Sequence, residues 1–202
     1  PILQICEEAK RLPLVELFKN NTMTFVAGSS WQPDEDLFIE YFNQHPEVKL
    51  IIAPHVIDEN HLVEIIRKLK RPYVRYTRAN EKNVRKADCL IIDCFGLLSS
   101  IYRYGEIAYI GGGFGVGIHN TLEAAVYGIP VIFGPKYQKF QEAIQLLETK
   151  GAFSVKDYEE LKTLLDRMLT DEVFLRESGM NASNYVTSNA GATDKIMSMI
   201  NF

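Results

Sequence analysis

Long apolar runs are missing from this chain of 202 residues, and no stretch approaches the roughly 20 residues that a transmembrane helix needs. An excess of positive charge is missing as well. The formal net charge is −4, which argues against a protein that binds nucleic acid through a basic patch. Cysteine is scarce: Cys6, Cys89 and Cys94 are an odd number without the spacing of a metal site. We therefore expect buried free thiols in a reducing compartment, and neither disulfides nor a metal centre.

Short apolar runs are what the sequence offers instead, and several are apolar at consecutive rather than alternate positions. This pattern is typical of strands that are buried on both faces of a parallel sheet. The runs are Met23–Ala27, Leu50–Ala53, Tyr73–Tyr76, Cys89–Ile92, Ile107–Ile110 and Val131–Phe133. Segments with helical periodicity separate most of them. We therefore expect an α/β fold, with a Rossmann-like, doubly wound parallel sheet.

Helical periodicity, in which apolar residues return every three or four positions, marks four segments. Their stripes are Leu37/Phe38/Tyr41/Phe42, Leu62/Ile65/Ile66/Leu69, Leu161/Leu164/Leu165/Met168 and Ile196/Met199/Ile200. We expect one domain over residues 1–202, closed by a helical run over residues 159–202. The first residues have the pattern of an amphipathic helix without an initiator methionine, so we expect them to follow a domain boundary in a longer protein.

One position where a predicted strand ends is unusually rich in glycine, and ligands of doubly wound sheets bind beyond such ends. Five glycines stand in the seven positions Gly111–Gly117, directly after the run Ile107–Ile110. Glycine lets backbone N–H groups approach a ligand closely, and a helix start favours negative charge. The segment predicts a site for an anionic, phosphate-bearing small molecule, although it lacks the dinucleotide-binding fingerprint. The alternative is a tight turn without a ligand.

The residues after the glycine segment allow two interpretations. In the first, Asn120 caps a helix and Glu123, three residues later, completes a capping box. In the second, N–H groups at this helix start bind a phosphate, while the Glu123 carboxylate accepts hydrogen bonds from the two hydroxyls of a sugar diol. Spacing alone does not choose between them.

Polar residues also follow the first two strands. Ser29 and Ser30 offer hydroxyl and N–H donors at a helix entrance, where ordinary helix capping is the competing explanation. His55 ends the second strand, where a structural histidine is the competing explanation. A basic stretch reads most simply as a solvated face around a strand: Arg71, Arg75, Arg78, Lys82, Arg85 and Lys86. No Ser–His–Asp, metal-ligand or paired-carboxylate arrangement stands out.

Taken together, these residues resemble the C-terminal half of a GT-B glycosyltransferase, and specifically the 3-deoxy-D-manno-octulosonic acid (Kdo) transferase family. The specific match is IGGGFGVGIHNTLEAAVYGIPVIFGP, with the family's glycine turn, its His-Asn pair and its Leu-Glu pair. Supporting matches are AGSSWQPDED, IIAPH, IIDCFGLLSSIY and NAGAT. Three departures imply a divergent lineage or a changed donor preference. No arginine precedes His55, and Cys94 and Leu97 replace a hydroxyl residue and an acid.

The resemblance implies a transferase that moves Kdo from CMP-Kdo to a lipid A precursor with inversion, without a dissociable metal or another cofactor. This chain would be the donor-binding half, at the cytoplasmic side of the bacterial inner membrane. The acceptor site, the catalytic base and any membrane contact would lie in an N-terminal domain outside it. The implied donor-binding residues are Ser29, Ser30, His55, Phe95, Gly96, Gly112, Gly113, Gly115, Gly117, His119, Asn120, Thr121 and Glu123.

Within that set, the resemblance and the strand ends together suggest individual roles. The turn Phe95–Gly96 would lie near the cytosine, His55 and Ser30 near the phosphate or sugar, and Glu123 on the ribose hydroxyls. Two alternatives stay open. One is another GT-B enzyme, a transferase or an epimerase, that uses a UDP- or GDP-sugar; the basic residues nearby for a diphosphate are Lys136 and Lys139. The other is a non-catalytic nucleotide-binding module that contacts a partner.

Overall fold

Seven parallel strands form the centre of the computed structural model, which describes the backbone of residues 11–200 and the side chains of residues 11–189. They are β1 (Thr24–Ser30), β2 (Lys49–Pro54), β3 (Tyr73–Arg75), β4 (Cys89–Ile91), β5 (Ile107–Ile110), β6 (Val131–Phe133) and β7 (Ala152–Ser154). Their order across the sheet is β3-β4-β2-β1-β5-β6-β7, and each neighbouring pair is parallel. The predicted doubly wound α/β fold is therefore confirmed.

Helices connect the strands and cover both faces of the sheet. They are α1 (Pro13–Lys19), α2 (Gln32–Gln44), α3 (Glu59–Lys68), α4 (Glu81–Val84), α5 (Leu98–Ile101), α6 (Leu122–Ala125), α7 (Gln141–Glu148), α8 (Tyr158–Thr170) and α9 (Glu172–Ile200). Among these helices, none is both long enough and apolar enough to cross a bilayer.

The core has two halves because successive strand residues point to opposite faces of the sheet. On one face, Phe25 of β1 packs in a buried cluster with Phe38 of α2 and Leu165 of α8. On the other face, Val26 of β1 belongs to a cluster that contains Phe18 of α1. Strands that are buried on both sides explain why the apolar runs are continuous. The predicted stripe Ile196/Met199/Ile200 lies outside the residues whose side chains are described.

Two expectations from the sequence differ from the structure. The strand β7 was not predicted, because only two of its residues, Ala152 and Phe153, are apolar before the polar Ser154. The expectation of a solvated basic face is wrong for Arg71 and Arg75. Arg71 donates to the carbonyl oxygens of Phe42, His45 and Val48 at 2.8–3.0 Å. Arg75 forms ion pairs with Glu59 and Asp93.

The centre of the sheet is where the connections diverge. Strands β1 and β5 are neighbours, but the chain continues from β1 towards β2 and from β5 towards β6, on opposite sides. In doubly wound sheets, the crevice at the carboxyl ends of two such strands is the ordinary ligand site. Here the loop after β1 and the glycine segment after β5 border that crevice.

Candidate functional site

A cleft of about 280 Å³ lies at the carboxyl ends of the central strands; we call it the central cleft. Its lining residues are Ser29, Ala53, Pro54, His55, Ile57, Ile92, Cys94, Phe95, Gly96, Leu98 and His119. Five of these belong to the predicted site, namely Ser29, His55, Phe95, Gly96 and His119. Three surface grooves, of about 300, 530 and 550 Å³, are larger, but none of them contains a predicted residue. The two largest lie beside β7.

One wall of the central cleft is polar and carries Ser29, His55 and His119. A row of three aromatic rings runs along this polar wall. The ring of His55 stacks on Trp31 with centroids 4.5 Å apart, and its other neighbour is His119, at 4.6 Å. The Nε2 atom of His119 is buried and has no hydrogen-bond partner among the described residues. Burial lowers the pKa of His119, the nearby His55 lowers it further, and Asp34 acts in the opposite direction. The shift favours the neutral ring, whose buried Nε2 is left without a partner among residues 11–189.

The glycine segment is a closed turn whose conformation requires glycine. Gly112 has φ +97°, and a Cβ there would lie 2.2 Å from the carbonyl oxygen of Gly117. Gly113 packs against the loop after β6, because a Cβ on it would lie 2.5 Å from the Gly134 nitrogen. The N–H groups of Gly115 and Gly117 both donate to the Gly112 carbonyl oxygen, at 3.2 and 2.8 Å. The Gly112 N–H donates to Asp34 Oδ2 at 3.1 Å.

These bonds argue against a phosphate contact from three of the glycine amides. The N–H groups of Gly112, Gly115 and Gly117 already have acceptors inside the protein, whereas Gly113 N has none among residues 11–189. Further along the chain, the N–H groups of His119, Asn120 and Thr121 also have no acceptor among those residues. The segment therefore presents amides to a ligand after the turn, while the turn itself sets their position.

The predicted helix after the glycine segment is a single turn, and the capping-box interpretation is wrong. The side chain of Asn120 accepts a hydrogen bond from Leu122 N at 2.9 Å, and α6 begins at Leu122. The Glu123 carboxylate does not return to the Asn120 backbone, and it has no hydrogen-bond donor within the described part of the chain. Burial raises the pKa of Glu123. A half-buried carboxylate without a donor is a group that a ligand hydroxyl can satisfy.

The two serines after β1 have different surroundings. Ser29 lines the cleft and has φ +53°, an uncommon conformation for a residue with a side chain. Ser30 is buried, and its hydroxyl donates to Glu35 Oε2 at 2.7 Å. The same oxygen lies 3.0 Å from His61 Nε2. The geometry thus gives Ser30 a structural role in place of the predicted donor contact.

Asp34 is the residue at this site that the sequence prediction did not include. Its carboxylate is 1% exposed and accepts from the Tyr109 hydroxyl, from Trp31 N and from Gly112 N, at 2.6, 2.9 and 3.1 Å. Burial raises the pKa of Asp34, and these three hydrogen bonds oppose the shift. In the sequence, Asp34 stands in the acidic first turn of α2, a position that compensation of the helix dipole also explains.

The opposite end of the central cleft is apolar and open. Phe95 is 81% exposed although it lines the cleft, and Gly96 has φ +90°. Cys94 is half-buried, and burial raises the pKa of its thiol. Asp93 is not available to a ligand, because it accepts from Thr77 and Arg75. A polar wall facing an apolar wall suits a ligand with an anionic end and a flat ring.

The site contains no obvious position for a metal. Among the described residues there is no group of three or more His, Cys, Asp or Glu side chains that could hold one. The thiols of Cys89 and Cys94 are free, with Cys89 fully buried, while Cys6 lies outside the described residues.

Solved structures of similar fold define the class. The C-terminal CMP-Kdo binding domain of WaaA from Acinetobacter baumannii superimposes with a TM-score of 0.72 at 19% identity, covering 92% of this chain and 97% of that one. Anabaena HepE in complex with UDP-glucose gives 0.62 at 15% identity, over 96% of this chain and 55% of that one. With its parallel sheet and the cleft at the switch between β1 and β5, the chain has the fold of the C-terminal half of a GT-B glycosyltransferase.

The sequence relatives of the chain include Kdo transferases. The chain is 33% identical over 172 residues to the 3-deoxy-D-manno-octulosonic acid transferase of Aquifex aeolicus, which covers 82% of this chain and 46% of that protein. The enzyme of the same name from Chlamydia muridarum is 28% identical, over 83% of this chain and 40% of that protein. The chain is similar to a part of each of these two enzymes. It thus spans less than half the length of these relatives, and no family model matches it.

Proposed function

We propose that this chain binds CMP-Kdo and acts as the donor-binding half of a glycosyltransferase that moves Kdo to a lipid A precursor. The observation that carries the proposal is the two-sided central cleft in a chain whose relatives are Kdo transferases. Residues 1–202 would form this nucleotide-sugar unit. The acceptor site, the catalytic base and contact with the cytoplasmic side of the inner membrane would belong to the rest of the enzyme.

The polar wall is proposed to receive the phosphate of CMP. The free N–H groups of His119, Asn120 and Thr121 follow one another along the chain, and a run of amides of this kind suits an anion. The unpartnered Nε2 of His119 adds a side-chain contact, and His55 lies beside it. The monophosphate needs fewer basic residues than a diphosphate, and Lys136 and Lys139 are exposed on a neighbouring loop.

The apolar wall is proposed to receive the cytosine, and Glu123 the ribose. A ring that enters beside Phe95 would cover a side chain that is now 81% exposed, and it would contact Cys94 and Ile92. The Glu123 carboxylate would accept hydrogen bonds from the ribose hydroxyls and so gain the donors it lacks inside the protein. This orientation spans the cleft from the end of β4 to the glycine segment.

The same amides would assist transfer as the bond between Kdo and CMP breaks. Negative charge then builds up on the departing phosphate, and donors that are already in position stabilise it without reorganisation. In the complete enzyme, closure of the two halves would bring the acceptor hydroxyl and its base to the sugar carbon. No described residue needs to act as that base.

Calorimetric titration with CMP, UDP and GDP tests the proposal. We expect CMP to bind with the lowest Kd, and Glu123→Ala to raise that Kd about 10-fold or more, the effect of losing a hydrogen bond to a charged group. Glu106→Gln is the matched control, because Glu106 accepts from Lys19 and Thr24 N at the opposite end of the sheet. Tighter binding of UDP or GDP than of CMP would favour the diphosphate-sugar alternative and contradict the proposal.

A further inference from the structure

We infer that Asp34 is a positioning residue for donor binding: its buried carboxylate fixes the glycine turn that places the anion-binding amides. The inference rests on the proposed function of the same cleft. Asp34 is 1% exposed, so it reaches no donor atom and acts only through the groups it holds.

The three donors to Asp34 come from three separate parts of the chain. The Tyr109 hydroxyl comes from β5, Trp31 N from the junction of β1 and α2, and Gly112 N from the glycine turn. Gly112 and Asp34 are 78 residues apart in sequence. A single carboxylate therefore joins the two loops that border the crevice between β1 and β5.

On the side of the glycine segment, the connection continues to the free amides. The Gly112 N–H is held by Asp34, and the Gly112 carbonyl oxygen accepts from Gly115 N and Gly117 N. The free amides of His119, Asn120 and Thr121 follow two to four residues after Gly117. Release of Gly112 would therefore loosen both ends of the turn and displace those amides.

On the side of β1, Asp34 acts on the row of rings. Its bond to Trp31 N fixes the backbone of the residue whose indole stacks on His55 at 4.5 Å. His55 in turn lies 4.6 Å from His119. One buried side chain therefore supports both parts of the proposed phosphate contact. These parts are the row of aromatic rings and the free amides.

The variants Asp34→Ala and Asp34→Asn test the inference in calorimetric titrations with CMP, at a temperature where every variant is fully folded. Asp34→Ala should raise the Kd for CMP roughly 10- to 100-fold, by analogy with the loss found when the outer-shell partner of a metal ligand is removed. Asp34→Asn should fall between parent and alanine variant, because its amide keeps one oxygen acceptor for the two N–H groups. The control Glu106→Gln loses a carboxylate that accepts from Thr24 N and Lys19, yet it should leave the Kd unchanged.

Amide hydrogen exchange without ligand separates failure of this inference from failure of the proposed function. In Asp34→Ala, or in Asp34→Asn if the alanine variant does not fold, the amides of Gly112, Gly115 and Gly117 should exchange faster than in the parent. That result supports the positioning role even if the parent does not bind CMP. Unchanged exchange at these glycines, or parental CMP affinity in both Asp34 variants, would overturn it.

Discussion

Replacement of Glu123 by glutamine should weaken CMP binding without weakening the fold. The carboxylate is half-buried, has no donor among the described residues, and is proposed to accept from two ribose hydroxyls. Glutamine keeps one acceptor oxygen and loses the charge. A hydrogen bond to a charged group contributes about 1.5–3 kcal/mol, so the loss corresponds to roughly a 10- to 100-fold higher Kd.

The effect of Glu123→Gln on stability follows from the direction of the pKa shift. Burial raises the pKa of Glu123 in the folded protein above its ordinary value of 4.5. The folded state therefore holds the proton more tightly than the unfolded state. The free energy of unfolding falls as the pH rises from the unfolded pKa through the folded one. At pH 7 the ionised carboxylate lowers stability, and the glutamine variant should unfold at the same temperature as the parent or a higher one.

Two measurements on the Glu123→Gln protein decide the matter, a calorimetric titration with CMP and a thermal unfolding curve at pH 7. We expect a higher Kd with an equal or higher melting temperature. A capping role would give the reverse, a loss of about 1 kcal/mol of stability with unchanged Kd. That reverse result would refute the reasoning and remove Glu123 from the site.

Three further predictions concern the walls of the central cleft. Iodoacetamide should label Cys94 slowly, because burial raises its pKa, and CMP should protect it. Buried Cys89 should stay unlabelled, and mass spectrometry measures the labelling of both thiols. Labelling of Cys94 that saturating CMP leaves unchanged would contradict its placement at the cytosine. Gly112→Ala should lower the free energy of unfolding in urea by about 2 kcal/mol or more, because of backbone strain. Gly115→Ala should lower it by less than about 1 kcal/mol, because nothing lies within 4 Å of a Cβ at this position. Equal losses in the two variants would contradict the closed turn. Phe95→Ala should leave stability unchanged and weaken CMP binding roughly 5- to 100-fold, the range for lost base stacking, so unaltered affinity would exclude stacking there.

The fold was predictable because it depends on patterns that are local in sequence. Strands β1, β2 and β4 to β6 are nearly continuous apolar runs, and burial on both faces of a parallel sheet produces that pattern. The strand β7 was missed because its apolar run, Ala152 and Phe153, is too short to mark a strand. Its pairing with β6 is a tertiary contact that three residues do not encode.

The location of the site was predictable, but the partners of its polar groups were not. Glycines after β5 and polar residues after β1 and β2 lie at strand ends, so the topology brings Ser29, His55 and His119 together. Hydrogen bonds between distant segments decide which of the groups stay free. The carboxylate of Asp34 accepts a hydrogen bond from Gly112 N, and that of Glu35 accepts one from the hydroxyl of Ser30. The spacing of residues in the sequence does not predict such hydrogen-bond partners.

The identity of the proposed nucleotide came from the resemblance to a family, because the pattern of glycines and polar residues did not determine it. Glycines and a polar strand end predict an anionic ligand, but they do not separate a monophosphate from a diphosphate. The motif from Ile110 to Pro135 pointed to Kdo transferases, and the relatives from Aquifex aeolicus and Chlamydia muridarum agree with it. The missing arginine beside His55 and the leucine at Leu97 remain features of this chain whose effect on donor preference the titrations with CMP and UDP will measure.

The most direct test of the central claim is a crystal structure of this chain with CMP. We expect phosphate oxygens about 3 Å from the main-chain nitrogens of His119, Asn120 or Thr121, with the cytosine beside Phe95 and the ribose hydroxyls on Glu123. A phosphate bound away from these amides, or CMP located in one of the grooves beside β7, would contradict it.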